Sequence, residues 1–69
     1  MNMDASFLIN NYGSFTQDSE LCLRKLYKIG DKYYLDTKWK IGNKNQELKH
    51  LSKRDALAWL QSNLWDVTY

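Results

Sequence analysis

From Lys32 to Ile41 the chain alternates: Tyr33, Leu35, Trp39 and Ile41 share one parity, and Tyr34, Asp36, Lys38 and Lys40 share the other. A period of two with one apolar side is the pattern of a half-buried strand. Two similar pentapeptides bound it, Lys28-Ile29-Gly30-Asp31-Lys32 and Lys40-Ile41-Gly42-Asn43-Lys44. Gly-Asp and Gly-Asn are two-residue hairpin signals, because glycine supplies the positive φ of a primed turn and Asp or Asn tolerates the next position. Residues 21–29 then read as the strand before and residues 44–51 as the strand after. The pattern predicts a three-stranded antiparallel meander.

If both turns hold two residues, Lys25 faces Asp36, Asp36 faces Lys49, Lys38 faces Glu47 and Tyr27 faces Tyr34. Opposite charges and an aromatic pair would then share the outer face, where such cross-strand neighbours are mildly favourable. The inner face would collect Cys22, Leu26, Tyr33, Leu35, Trp39 and Leu48, with His50 on the same parity opposite Leu35. Next comes Ser52-Lys53-Arg54-Asp55, which has the form of a capping box with an acid in the first turn. Ala56, Leu57, Leu60 and Leu64 follow as a stripe at helical spacing, flanked by Trp59 and Trp65. A helix over 53–64, stapled at its start by Leu51, should cover the inner face, with Trp39 and Trp59 as the large core pieces. Upstream, residues 4–12 offer a short helix stopped by Gly13 or else a frayed end, and residues 13–20 read as a polar linker. The expected organisation is α+β: residues 1–20 as an N-terminal segment, helical or flexible, and residues 21–69 as a β-β-β-α domain.

A chain of 69 residues, 43% hydrophobic and 14% aromatic, is no disordered tail. It makes one domain that buries about 60% of its unfolded surface. No apolar run approaches the roughly 20 residues of a membrane helix. The N-terminus lacks the basic and apolar regions of a secretory signal. A single cysteine, Cys22, has no internal disulfide partner, which fits a cytoplasmic setting.

Charge changes the picture. All ten basic residues fall within 24–54, against Asp31, Asp36 and Glu47, so this stretch sums to ten minus three, or +7. The flanks hold Asp4, Asp18, Glu20, Asp55 and Asp66, or −5, which returns the overall +2. A positive middle attracts polyanions. Surplus cations cluster at the turns and the helix start, at Lys28, Lys32, Lys40, Lys44, Lys53 and Arg54, where they would form a rim for phosphates. Base-edge reading is less favoured, since lysine dominates and only Arg24, Arg54, Asn43, Asn45 and Gln46 have the usual chemistry. The same charges also suit an ordinary solvated sheet, where exposed lysines oppose edge-to-edge association.

Catalytic chemistry is sparse. His50 has no second histidine, cysteine pair or carboxylate cluster at ligand spacing, and Cys22 reads as a small core hydrophobe. The three glycines stand singly, so no phosphate-cradling loop is formed. No enzyme, metal, cofactor or small-molecule substrate is expected.

Gly30-Asp31-Lys32-Tyr33-Tyr34, the hairpin through Gly42-Asn43, and Leu51-Ser52-Lys53-Arg54-Asp55-Ala56-Leu57-Ala58-Trp59-Leu60 together resemble the N-terminal arm-binding domain of phage-type tyrosine integrases. The resemblance covers residues 25–60, without the catalytic domain. It implies an AP2-like three-stranded sheet backed by one helix, a phage or mobile-element origin, and an exposed sheet face that enters the DNA major groove. By position it nominates Lys25, Tyr27, Tyr34, Lys38 and Lys49. The expected function is therefore a non-enzymatic module binding nucleic acid, duplex DNA first, through a basic sheet face and turns. Its site would comprise Lys25, Tyr27, Lys28, Lys32, Tyr34, Lys38, Lys40, Lys44, Lys49 and Arg54. The alternative is a small protein-interaction factor of inhibitor or immunity type, whose lysines meet an acidic protein and whose flank aromatics, Phe7, Tyr12, Phe15, Trp65 and Tyr69, join the contact.

Overall fold

Gly30, at φ +64°, makes the first turn in the way its sequence demands, and the strands it joins are in the expected register. The computed structural model describes residues 4–42 and 44–69. Along the chain run helix α1 (Ala5–Asn11), strands β1 (Ser14–Asp18), β2 (Cys22–Ile29), β3 (Lys32–Trp39) and β4 (Glu47–Leu51), helix α2 (Lys53–Ser62) and a short strand β5 (Val67–Thr68). The strands form one antiparallel sheet in the order β4-β3-β2-β1-β5. The class is α+β, as expected, but the sheet has five strands rather than three; of the two forms expected for residues 4–12, the short helix is the one present, as α1.

The two extra strands come from segments with weak patterns. Residues 13–20 are not a linker: Ser14–Asp18 pairs along its whole length with β2, and its Phe15 is 2% exposed. β5 pairs with β1 through Gln17↔Val67 and Thr16↔Thr68. Helix α1 begins at an Asp4 cap, whose carboxylate accepts from the Phe7 N–H at 2.8 Å, and it buries Ala5, Leu8 and Ile9. The first residues of the chain beyond Met3 are thus built into the same core as the rest.

The second hairpin departs from the expected register. Seven residues, 40–46, separate β3 from β4, where two were expected. Gly42 does take φ +70°, and Asn43 of the expected turn lies outside the described residues. The strands pair as Asp36↔Leu48, Leu35↔Lys49, Tyr34↔His50 and Tyr33↔Leu51, one step from the expected alignment. Such a slip turns every β4 side chain to the opposite face. Lys49 and Glu47 therefore leave the outer face, Leu48 leaves the inner face and is 61% exposed, and His50 becomes an exposed outer residue. The physical reason sits at the end of the strand. Ser52 caps α2 by accepting from the Asp55 N–H at 3.1 Å, so the chain must turn over the inner face at once. The observed register points the preceding Leu51 inward, where it packs on the core, and gives up Leu48 to do so.

One cluster fills the space between helices and sheet: Ala5, Leu8 and Ile9 of α1, Phe15, Leu26, Tyr33 and Val67 from four strands, and Ala56 and Leu60 of α2. Leu35, Leu51, Leu57, Trp59 and Leu64 pack around it. Trp39 is not a central core piece, contrary to expectation. It lies half-buried at the end of β3, with the Lys44 ammonium 4.4 Å from its ring centroid. A polar clasp ties α2 to β1: Gln17 Nε2 donates to Asn63 Oδ1 at 2.8 Å, while Asn63 Nδ2 donates to the Trp59 carbonyl at 2.7 Å.

Two stability outcomes follow from this packing. Leu26 and Leu60 are 1% and 0% exposed, so truncating either to alanine should cost about 2–5 kcal/mol. That is comparable with the about 5 kcal/mol total of a marginally stable domain. Thermal melts should find both variants largely unfolded and Trp39→Ala clearly less affected; equal losses in all three would contradict the core described above. The second outcome concerns Gly30, which has open space around it but a positive φ. Gly30→Ala should lower stability by about 1 kcal/mol through backbone strain alone, whereas Gly13→Ala should lose nothing, as urea midpoints would show.

Candidate nucleic-acid interface

Every buried sheet residue lies on one parity: Phe15, Cys22, Leu26, Tyr33, Thr37 and Val67 all face the helices. The opposite face has no buried residue among those described and no helix packed on it. Its side chains form cross-strand rows. Asp18, Leu23 and Lys38 make one row, and Thr68, Thr16, Lys25, Asp36 and Leu48 the next. Beyond them come Ser14, Tyr27, Tyr34 and His50, then Ile29 and Lys32 at the Gly30 turn.

The third row is aromatic across three strands. The Tyr27 and Tyr34 rings stack at 5.6 Å between centroids with planes 25° apart, and His50 tilts against Tyr34 at 5.4 Å. Side chains directly opposite in an antiparallel pair are close enough for such ring contacts. Both tyrosines are half-buried by their neighbours and His50 is exposed. Lys25, Lys32 and Lys38 stand exposed on the strand positions around them. Asp36, one of two acids on this face with Asp18, is held by Gln46, whose Nε2 donates to both carboxylate oxygens at 2.8 Å.

The structure divides the expected site residues. Lys25, Tyr27, Lys32, Tyr34 and Lys38 come together on the open face. Lys28 and Lys49 take inner-face positions at its rim, with the Lys28 ammonium 5.7 Å from the Tyr33 ring centroid. Lys40 is ion-paired with Asp18. Lys44 covers Trp39 and Arg54 lies exposed in the first turn of α2. No single surface gathers all ten bases: the strands place Lys25, Lys32 and Lys38 on one face and Arg24, Lys28 and Lys49 on the other. Sequence reasoning missed His50 as the third ring, because the expected register put it inside. Its signal was the same parity argument applied with Leu51, rather than Leu48, as the inward residue.

Among the described residues no group of three or more His, Cys, Asp or Glu side chains is placed to hold a metal ion, and no helix is long and apolar enough to cross a membrane. Cys22 is a free, buried thiol beside the Ser19 hydroxyl. No protein-family model matches the chain, and comparison with curated proteins and with solved structures finds no match.

Proposed function

We propose that this protein is a small, non-enzymatic nucleic-acid-binding module that works through its open sheet face. The observation that carries the reading is the Tyr27–Tyr34–His50 row, which faces outward on a helix-free surface with Lys25 and Lys32 in the rows on either side and Lys38 further along β3. Aromatic rings within a basic surface are the parts that bind a single strand, since every base has a face to stack and every phosphate a charge to pair. Duplex reading has less support here. None of the four described arginine or amide candidates sits on a strand of the open face with free donors: Arg24 is on the inner parity, Gln46 is committed to Asp36, Asn45 lies in the 40–46 connection and Arg54 lies on α2. The integrase resemblance would bring the same Lys25, Tyr27, Tyr34 and Lys38 to a major groove, but not Lys49, which is on the other face.

Fluorescence anisotropy with labelled single-stranded DNA, single-stranded RNA and duplex DNA at two salt concentrations tests the proposal. Single strands should bind more tightly than duplex. Tyr34→Ala should weaken that binding roughly tenfold or more, since a stacked base is worth about 1–3 kcal/mol. Lys32→Gln with Lys38→Gln should flatten the salt slope by about 1.4, near 0.7 for each lost phosphate contact on a single strand. Duplex preferred over single strands would restore the groove reading. Failure of all three nucleic acids to bind at low salt would overturn the proposal and leave an acidic protein as the partner to seek.

A further inference from the structure

The border of the sheet formed by β4 is open. Among the described residues the strand pairs with β3 on one side and with no strand on the other, and the three residues before it, 44–46, belong to no element. An open edge offers a row of unpaired N–H and C=O groups to another strand. The border carries two devices that usually blunt an edge, its five-residue length and the charges of Glu47 and Lys49, but it has no proline, and its outer side presents Leu48 at 61% exposure. The loss of Leu48 to solvent is the one apolar sacrifice of the observed register.

Symmetry narrows what fits. A second copy that continued the sheet antiparallel would be related by a two-fold axis normal to it, which keeps inner faces on the same side and places the axis at a residue. An axis at Lys49 would set Lys49 against Lys49, and one at Glu47 would set Glu47 against Glu47; like charges directly opposite are unfavourable. An axis at Leu48 does the reverse. Leu48 meets Leu48 on the outer face, and Lys49 meets the partner's Glu47 twice on the inner face, by the face assignments of β4. Neither Glu47 nor Lys49 has an ion pair among the described residues, so both are available. An isologous contact of this kind is self-complementary by construction.

We infer that β4 is a homodimerisation edge, joining two copies antiparallel about Leu48 into one continuous ten-stranded sheet. A pairing built on a five-residue strand is small, so association is weak and concentration-dependent. The inference does not rest on nucleic-acid binding, although it would set two Tyr27–Tyr34–His50 rows on one surface.

Sedimentation equilibrium on the full chain, from about 10 μM to about 1 mM at low salt, should find a monomer–dimer equilibrium in this weak class. Lys49→Glu or Glu47→Lys alone brings two like-charged pairs together and should raise the dissociation constant roughly tenfold. The double exchange Glu47→Lys with Lys49→Glu restores both pairs and should return it to the parent value. Leu48→Lys, a change at an exposed site, should weaken the dimer independently of the charge pairs. Circular dichroism melts confirm that each variant is folded. A monomer over the whole range, or a dimer indifferent to the single reversals and to Leu48→Lys, would overturn the inference.

Discussion

A single apolar cluster has to serve the whole domain. Leu8, Phe15, Leu26 and Leu60 are its largest fully buried members, and each belongs to a different element. A chain of 69 residues has apolar material for one such layer and no more. Both helices are consequently spent on the same side of the sheet, and the other side is left to face water. The outward-facing rings, the uncovered cross-strand rows and the inward turn of Leu51 all follow from that one-sidedness. So does the position of β4, which is held less by its own side chains than by the helix that must start immediately after it.

Electrostatics plays a smaller part than the sequence suggests. The basic residues are confined to β2, β3, β4, their connections and the first turn of α2, while α1, β1 and β5 contain no base. This segregation along the chain survives as segregation across the sheet. Yet pleating sends alternate residues to opposite faces, so the strand lysines and arginine are shared between the two surfaces. Charge alone does not distinguish the two faces; the aromatic row lies on one of them. The Lys40–Asp18 pair bridges the two charge territories, but with side chains 43% and 67% exposed it contributes little to stability.

Legibility tracked the strength of local signals. The Gly30-Asp31 turn, strict alternation in β3 and the Ser52 cap are short-range features, and each was readable with its register or its hydrogen bond. Tyr27 and Tyr34 were placed opposite one another for the same reason. β1 offered only Phe15 between polar residues, and β5 is two residues long, so both owe their existence to partners distant in sequence. The 40–46 connection was misread because Gly42-Asn43 mimics a tight turn. The deciding interaction, Leu51 against the core, belongs to the strand's far end. That misreading put His50 on the inner face and Lys49 on the outer, the reverse of the observed register.

The pairing of β5 with β1 has a consequence for how the protein is made. Thr16 and Gln17 find their last neighbours in Thr68 and Val67, and Val67 is also part of the core. The β2–β3 hairpin is local and can form as soon as it leaves the ribosome, whereas contacts this distant in sequence close late. During synthesis, Phe15 and the outer border of β1 must therefore wait, partly uncovered, until Val67 has emerged.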